Sequence, residues 1–354
     1  MESRSFLSTF WDRGDPLALE AELMRLYGSQ IQLAAASVPY WRDRIPPAIV
    51  EGTPLSRPFI ERLPIIRKQD LRLLGPFDLV PSGTTSFHMY RGTGGTTGTP
   101  VDVLWTLAEW TASMEVMARH GAPLAHIRPL RIWNGYHQGH VSGPVFDDTA
   151  RLLGGTPFPR HFRSSDEQAL QEIEHLGANV LVLTPKSGSG KGGSLEDLLA
   201  IDPDFLRRLK IQALMVSSTP LDPNLLDEVR EQGVEHVVNY YGSTEALPSA
   251  VSCAARPTWF HLCQGHLFVE VVAEDGRHVR SGERGAVVVS RIAGRVMETI
   301  EPGRGMQLFR FEVGDFATFL DESCPCGRTT PRIGDIVRMK NVEDKLSGGC
   351  ELWE

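Results

Sequence analysis

The 354-residue chain carries 36 lysines and arginines against 44 aspartates and glutamates, a formal net charge of -8, and 41% of its residues are hydrophobic. This length suffices for one large domain or two ordinary ones with a substantial core. The acidic balance argues against nucleic acid as the main partner, because a phosphate backbone requires a basic surface. The sequence contains no apolar run of membrane-spanning length, so we expect no membrane association. Five cysteines do not make a disulfide framework in a chain this long, which predicts a cytoplasmic protein.

The first eighty residues predict helices joined by proline-containing connections. Residues 15–35 place apolar side chains at helical spacing behind Asp15, a favoured N-cap, and residues 67–77 predict a helix that ends at Gly75-Pro76. The stretch YRGTGGTTGTP follows at residues 90–100, with four glycines and four threonines. Such a loop is too flexible and too polar to pack in a core.

From residue 106 the chain alternates between helices that end in glycine and short runs rich in Val, Ile and Leu. This alternation predicts α/β units around a mostly parallel sheet. Its helices are expected at 106–121, 164–177 and 222–233, and its strands at 130–136, 178–185, 209–218 and 234–242. After residue 262 the pattern changes to strands without helices between them. We expect a hairpin at 266–279 with an Asp275-Gly276 turn, and further strands at 285–292 and 306–319.

The glycine-threonine loop is a candidate phosphate site, because glycines let backbone amides point at a phosphate and hydroxyls add neutral donors. A flexible surface turn is the alternative for such a loop taken alone. The segment YYGSTE at 240–245 closes a buried strand, and open α/β sheets bind ligands at the carboxyl ends of their strands. Glu245 there can hold magnesium, and Thr244 can bond a phosphate oxygen. Asp315, in FEVGD, is suited to accept two ribose hydroxyls.

Together these segments resemble the adenylate-forming superfamily, and most closely its phenylacetate–CoA ligase branch, over about residues 20–338. LPIIRKQDLRLLGPFDLV at 63–80 resembles the family's segment ahead of the phosphate loop, and CPCGRTTPRIGDI at 324–336 resembles its Cys-Pro-Cys-Gly-Arg segment. The resemblance implies an α/β fold, the large N-terminal domain of these enzymes, with stacked, mostly parallel α/β layers plus a distorted β-barrel. We expect an AMP-binding domain at 1–338 with a β-rich subdomain at about 262–338. Residues 339–354 would be a hinge remnant, with the family's mobile C-terminal domain absent.

The resemblance also implies the chemistry: a carboxylate attacks the α-phosphorus of ATP, pyrophosphate leaves, and the acyl-adenylate passes to a thiol or amine. The phosphates would be wrapped by Thr93, Gly94, Gly95, Thr96, Thr97 and Gly98. Glu245 would ligate Mg²⁺, Thr244 would contact the α-phosphate, and Asp315 would bind the ribose. The adenine would lie against Tyr240, Tyr241, Gly242 and Ser243. Arg332 is a further phosphate or ribose contact, or else braces the cysteine-rich turn, and Arg338 or Arg332 would stand in for the family's hinge arginine.

The acid pocket is only outlined by the sequence. By the resemblance it would be lined by Tyr136, His137, Ser217, Ser218 and Tyr240. An aromatic side chain beside a glycine-rich strand end suits a planar aryl or other small carboxylic acid. Packing of Tyr136 and His137 in the core is the alternative. The chain also departs from the family at Thr99, where many relatives carry a phosphate-binding lysine, and Arg91 is the candidate substitute for that lysine.

Four residues outside the nucleotide motifs predict a structural zinc site: Cys253, His261, Cys324 and Cys326. Two cysteines separated by one residue, with a distant cysteine and histidine, fit a closed tetrahedral Zn²⁺ centre. His266 is the other candidate for the histidine ligand, and buried cysteines without metal are the alternative.

The function that the sequence predicts is ATP-dependent activation of a small acid, including an aryl acid, by an acid-activating ligase. An acyl-protein synthetase that transfers to a partner enzyme and a non-catalytic nucleotide-binding subunit are the alternatives. The expected partners are the acid and an acceptor such as coenzyme A, a carrier protein or a partner enzyme. Self-association as a homodimer is left open.

Overall fold

The computed structural model of the protein describes residues 5–47, 54–92, 100–188 and 193–338. The predicted phosphate loop, 93–99, and the predicted hinge remnant, 339–354, lie outside them. The chain divides into two compact units. The parallel unit is residues 114–242, and the antiparallel unit is the described part of 1–113 and 243–354. The β-rich segment predicted at 262–338 belongs to the antiparallel unit, together with the N-terminal helices.

The strands of the described residues are numbered in chain order. They are β1 (Met89–Gly92), β2 (Asp102–Trp105), β3 (Arg131–Asn134), β4 (Thr156–Pro159), β5 (Val180–Leu183), β6 (Ala213–Ser217), β7 (His236–Ser243), β8 (Ala246–Ser252), β9 (Phe260–Leu262), β10 (Leu267–Val272), β11 (Arg284–Arg291), β12 (Gly294–Val296), β13 (Thr299–Glu301), β14 (Phe311–Leu320) and β15 (Arg332–Arg338). The α-helices span Phe10–Arg13, Pro16–Ser37, Pro39–Arg42, Arg57–Ile60, Lys68–Arg72, Leu107–His120, Ser142–Leu152, Asp166–Leu176, Leu195–Ile201, Phe205–Arg208 and Pro223–Glu231, and a 3₁₀ helix spans Ala122–His126. Within these residues, no helix is both long enough and apolar enough to cross a membrane.

The helix starts follow from local capping chemistry. The Asp15 carboxylate accepts a hydrogen bond from the Ala18 amide, which confirms the N-cap predicted for the longest helix. Ser165 and Gln168 form a reciprocal capping box at the start of Asp166–Leu176. That helix ends at Gly177, whose φ of 57° is the left-handed conformation that glycine adopts at low cost. The helix predicted at 67–77 is shorter in the structure, Lys68–Arg72.

The parallel unit is built on five parallel strands in the order β7-β6-β5-β3-β4. The central strand β5 and the first four residues of its neighbour β6 are continuous buried apolar runs, as expected when a strand is covered on both faces. The main core includes Trp133, Ile173, Leu181, Leu214 and Val229. This confirms the parallel α/β arrangement that the alternating sequence pattern predicts.

The antiparallel unit joins its strands in the order β10-β11-β14-β15-β9-β8. The predicted hairpin at 266–279 is present with a short second arm. The Val279 amide donates to the Val271 carbonyl at 3.0 Å, the Ala273 amide donates to the Arg277 carbonyl at 2.8 Å, and His278 bridges to Val272, while β10 pairs along its whole length with β11. The predicted turn is present, since Gly276 has a φ of 81°.

Aromatic residues and a buried charged network hold the antiparallel unit together. The Tyr27 ring lies 5.5 Å from the Phe268 ring, and the Tyr27 hydroxyl is 2.7 Å from that of Ser290. The Glu270 carboxylate is fully buried and lies 3.2 Å from the Arg310 guanidinium and 3.1 Å from His278 Nε2. A buried carboxylate of this kind requires paired cations to offset its lost hydration.

Candidate active site and cysteine cluster

Glu245, the predicted magnesium ligand, is a buried carboxylate just beyond the end of β7. Its Oε1 atom lies 3.3 Å from the Lys68 Nζ atom and accepts no hydrogen bond from the residues that the structure describes. Buried oxygens are normally hydrogen-bonded, so this atom retains capacity for a cation or donor. Glu245 and its lysine therefore form a charged pair that a bound metal ion can complete.

Lys68 is a residue that the sequence reasoning did not assign to the site. It is the first residue of the short helix Lys68–Arg72, and its side chain is only 19% exposed. The lysine stands inside the motif LPIIRKQDLR, and this was the one signal that could have identified it. Its ammonium pairs with the Glu245 carboxylate, although the two residues are more than 170 positions apart in the sequence. Local sequence patterns do not encode such a contact.

Arg291 at the end of β11 holds the backbone of Glu245. Its Nε donates to the Glu245 carbonyl at 2.8 Å and its Nη1 donates to the Leu104 carbonyl at 2.9 Å. The guanidinium also lies over the Trp105 ring, 3.7 Å from the centroid. Burial lowers the pKa of Arg291 to about 10, with the charges of Glu109 and Glu245 opposing that shift, so the group stays cationic at neutral pH. The carbonyl of Glu245 is thus fixed by a buried cation.

Asp315, the predicted ribose ligand, lies on β14 opposite Arg338 of β15. The Arg338 Nη1 atom is 3.1 Å from Asp315 Oδ1 and 3.4 Å from Oδ2. The carboxylate is buried, whereas the Arg338 side chain is 57% exposed. The arginine predicted as a hinge substitute therefore contacts the carboxylate that is predicted to bind the ribose.

In the parallel unit, the predicted acid-pocket residues lie at the carboxyl ends of β3, β6 and β7. The Tyr136 hydroxyl donates to the Ser217 carbonyl at 2.8 Å, and the Ser217 hydroxyl donates to the Tyr240 carbonyl at 2.8 Å. The Tyr240 hydroxyl donates to the Met117 carbonyl at 2.9 Å. Both tyrosine rings are buried, and burial raises the pKa of Tyr136. Tyr136 also stacks on Phe146 at 5.6 Å, which agrees with the core-packing alternative for this residue.

Two neighbours of these tyrosines are more accessible. His137 is exposed, and Ser218 is partly exposed with a φ of 79°. A positive φ costs energy in a residue other than glycine and is concentrated at functional sites. Ser218 is therefore held in a strained conformation immediately after β6.

The turn after β3 is fixed by a buried polar group that the sequence did not reveal. Asn134 Nδ2 donates to the Gly143 carbonyl at 2.8 Å and to Asp147 Oδ1 at 2.7 Å. A Cβ at Gly143 would lie 2.6 Å from the His137 carbonyl oxygen, so only glycine permits this close approach. The glycine is the second residue of the helix Ser142–Leu152, which was not predicted because the stretch looks like a glycine-rich loop.

The four predicted zinc ligands lie together in the antiparallel unit. Their ligand atoms are all within 4.8 Å of one another, with Cys253 Sγ 3.4 Å from Cys324 Sγ and Cys326 Sγ 3.2 Å from His261 Nε2. Tetrahedral zinc sites hold their sulfur and nitrogen atoms about 3.5–3.8 Å apart, from bond lengths of about 2.3 and 2.0 Å. The His266 alternative is not part of this cluster.

The surroundings of His261 suit a metal ligand. Its Nδ1 lies 2.9 Å from the Thr330 carbonyl, so a proton on Nδ1 leaves the Nε2 lone pair free to face the cysteines. Burial lowers the pKa of His261 to about 4, and the charges of Arg328 and Arg332 add to this effect. The imidazole is therefore neutral at physiological pH.

Arg332 lies beside this cluster. It is fully buried, pairs with His261 across β15 and β9, and donates to the Glu322 carbonyl at 3.3 Å. Although burial acts to raise the pKa of the Cys324 thiol, hydrogen bonds with Cys326 and Cys253 and the charge of Arg332 together lower it. Of the two roles predicted for Arg332, this placement supports bracing of the cysteine-rich turn.

Comparison with known proteins identifies the family to which the chain belongs. The family model described as AMP-binding enzyme matches residues 73–298, well over half of the chain. The chain belongs to the AMP-binding enzyme family. This AMP-binding enzyme is 25% identical over 282 residues to a phenylacetate-coenzyme A ligase of Thermus thermophilus. The match includes 78% of this chain, which spans 60% of the length of that relative.

Solved structures show the same fold. A 2-hydroxyisobutyryl-CoA ligase in complex with 2-HIB-AMP and CoA matches with a TM-score of 0.78 and 20% identity, covering 94% of this chain and 70% of that one. An o-succinylbenzoate coenzyme A synthetase of Bacillus subtilis, in complex with AMP, matches with a TM-score of 0.50 and 17% identity, covering 73% and 50% of the two chains. The predicted α/β fold of adenylate-forming enzymes is confirmed.

Proposed function

We propose that this AMP-binding enzyme uses ATP to activate a small carboxylic acid as an acyl-adenylate and then transfers the acyl group to the thiol of coenzyme A. The observation that carries the proposal is the buried Glu245 carboxylate, whose Oε1 faces Lys68 and accepts no hydrogen bond from the described residues. The names of its relatives, a phenylacetate-CoA ligase and a 2-hydroxyisobutyryl-CoA ligase, support an acid as substrate and coenzyme A as acceptor.

The first step makes one bond and breaks one bond at phosphorus. A carboxylate oxygen attacks the α-phosphorus, and the bond to the bridging oxygen breaks so that pyrophosphate leaves with the electron pair. Little covalent work falls to the protein, which must align two anions and offset their charge. We assign Glu245 to Mg²⁺, which neutralises phosphate charge when bound, and Lys68 to a phosphate oxygen once Glu245 engages the metal.

In the same proposal, Asp315 accepts the ribose hydroxyls and Arg338 moves from it to a phosphate or to the acyl-adenylate. The second step then follows conventional acyl transfer, in which a thiolate attacks the acyl carbon and AMP leaves. Ser217, Ser218 and His137 are the proposed acid-facing residues, because Tyr136 and Tyr240 have their hydroxyls engaged with backbone carbonyls. We propose short aliphatic or single-ring aryl acids as the substrates.

Exchange of labelled pyrophosphate into ATP tests the first step without the acceptor. A panel of short aliphatic, hydroxylated and aryl acids should include at least one that supports exchange well above the acid-free rate. Coenzyme A, a carrier protein and candidate partner enzymes can then be supplied to identify the acceptor. Binding of ATP without exchange for any acid would instead favour a non-catalytic nucleotide-binding subunit.

We further propose that Cys253, His261, Cys324 and Cys326 hold a structural zinc ion. Four protein ligands leave no open position for a substrate, so such an ion would stabilise β8, β9 and the turn at 324–330 without entering the reaction. Folded protein should contain one strongly held zinc per chain by elemental analysis. Cys326→Ser should lose this zinc and melt at a lower temperature, whereas Cys263→Ala, which removes a buried cysteine outside the cluster, should keep it. Zinc-free wild-type protein with the same melting temperature as zinc-containing protein would contradict the assignment.

A further inference from the structure

A second group of metal-ligating side chains lies on the parallel unit, far along the chain from the cysteine cluster. His126, Glu235 and His236 each offer one ligand atom, and these atoms all lie within 4.8 Å of one another. The two imidazole rings are 5.3 Å apart and nearly perpendicular, at 78°. His236 Nε2 is 4.0 Å from Glu235 Oε2. From this geometry we infer that the three residues form a binding site for a divalent first-row transition-metal ion.

The backbone holds both histidines in place before any metal binds. His126 ends the 3₁₀ helix Ala122–His126 and lies between Leu124 and Ile127, which are both buried. On the other side, the amides of Glu235 and His236 both donate to the Gln212 carbonyl, at 3.0 and 3.2 Å. The side chains therefore project from two anchored segments, and only their rotamers must change.

The required change is small. Nitrogen and oxygen ligands of a tetrahedral zinc ion stand about 3.3–3.5 Å apart, from bond lengths of about 2.0–2.1 Å. The three donor atoms are thus at most about 1.5 Å farther apart than in a formed site. His126 and Glu235 are exposed, so rotation of their side chains can close this gap without moving the core.

The donor set defines the class of ion. Two imidazoles and one carboxylate favour Zn²⁺, Ni²⁺, Co²⁺ or Cu²⁺, whereas Mg²⁺ and Ca²⁺ prefer oxygen ligands. Three protein ligands leave at least one position for water. The site would therefore discriminate against the magnesium ion of the proposed reaction.

Within the parallel unit, the site lies away from Tyr240, one of the predicted acid-pocket residues. In the pairing of β6 with β7, His236 stands opposite Ala213, while Tyr240 stands opposite Ser217. Four residues of strand separate the two positions, roughly 13 Å at about 3.3 Å per residue. The metal would cross-link the 3₁₀ helix to the start of β7 and stabilise the parallel unit from its amino edge.

The test uses the full chain without an affinity tag. Wild-type protein should be retained on a Ni²⁺-charged chelating resin at pH 8 and released at pH 5, because an imidazole binds a metal ion only in its neutral form. His126→Ala and His236→Ala should each abolish retention. His161→Ala is the matched control, because it removes an exposed histidine elsewhere in the same unit and should leave retention unchanged.

A second measurement separates binding from adventitious retention. Protein stripped of weakly held metal should bind Co²⁺ with a spectrum that lacks thiolate charge-transfer bands, and its melting temperature should rise by about 2–5 °C at a Co²⁺ concentration one hundred times the Kd. The His126→Ala protein should show neither change. Retention that survives His126→Ala, an equal loss in the His161→Ala control, or a Kd weaker than about 1 mM would overturn the inference.

Discussion

Replacing Arg291 with lysine should destabilise the protein and slow adenylation, although the charge is conserved. The arginine donates to the Glu245 and Leu104 carbonyls and stacks on Trp105 at 3.7 Å. A lysine has a compact ammonium that can reach one of these carbonyls well but cannot stack as a planar group. It therefore leaves one buried carbonyl without its charged donor.

The size of the effect follows from these contacts. A hydrogen bond from a charged group contributes about 1.5–3 kcal/mol, and loss of a desolvated cation–π contact adds about 1 kcal/mol. The expected loss in the free energy of unfolding is therefore about 3 kcal/mol. Because Arg291 fixes the carbonyl of Glu245, pyrophosphate exchange should fall at least tenfold under conditions where the variant is folded.

Urea unfolding measures the first effect and pyrophosphate exchange the second. Arg25→Lys is the matched control, since Arg25 makes an exposed pair with Glu22 that is worth about 0.3–0.5 kcal/mol. An Arg291→Lys protein whose unfolding free energy lies within about 0.5 kcal/mol of wild type, and whose pyrophosphate exchange rate is that of wild type, would refute the argument that this buried cation positions Glu245.

Two further predictions come from charged side chains in the antiparallel unit. Lys68→Met leaves the buried Glu245 charge without its cation, so the variant should melt at a lower temperature than wild type in the absence of metal, recover its melting temperature with Mg²⁺ and ATP, and exchange pyrophosphate at least tenfold more slowly. The control Lys210→Met, which replaces an exposed lysine, should show none of these effects. A wild-type exchange rate in Lys68→Met would contradict the assignment. Burial acts to lower the pKa of His278, but its hydrogen bonds and charge interactions with Glu270 and Glu61 outweigh burial and raise it. The stabilising effect of the protonated ring is therefore complete below the unfolded pKa of about 6.5 and is lost as the pH rises through the raised folded pKa. The difference in unfolding free energy between wild type and His278→Gln should shrink between pH 6 and pH 9. A difference that does not change with pH would show that the ring is neutral throughout.

The parallel unit was predictable from the sequence because its signals are local. Runs such as Val180–Leu183 are apolar throughout, and capping residues such as Ser165 and Asp222 mark the helix starts. The helix Ser142–Leu152 was missed for the opposite reason. The glycines at 135, 139 and 143 make the stretch look like a loop, and the need for Gly143 becomes clear only once the His137 carbonyl is seen to approach it.

The candidate site was predictable in its motif residues but not in their partners. Glu245 and Asp315 stand in recognisable segments, whereas Lys68, Arg291 and Arg338 reach them through packing and strand register. Contacts of this kind depend on which side chains the fold brings together, and a single sequence carries no local signal for them. The sequence correctly predicted that Cys253, His261, Cys324 and Cys326 are neighbours, because few side chains other than thiols and imidazoles serve as zinc ligands. The bound zinc itself stays a prediction.

Pyrophosphate exchange by Glu245→Gln tests the central claim most directly. The substitution keeps the size of the side chain and removes the charge that is proposed to hold magnesium. Exchange should fall by about 10²–10³-fold, corresponding to about 2.7–4 kcal/mol of transition-state stabilisation, while binding of ATP weakens much less. Glu228→Gln, which neutralises an exposed glutamate of the helix Pro223–Glu231, should exchange at the wild-type rate. An exchange rate in Glu245→Gln equal to that of wild type would contradict the proposed adenylation site.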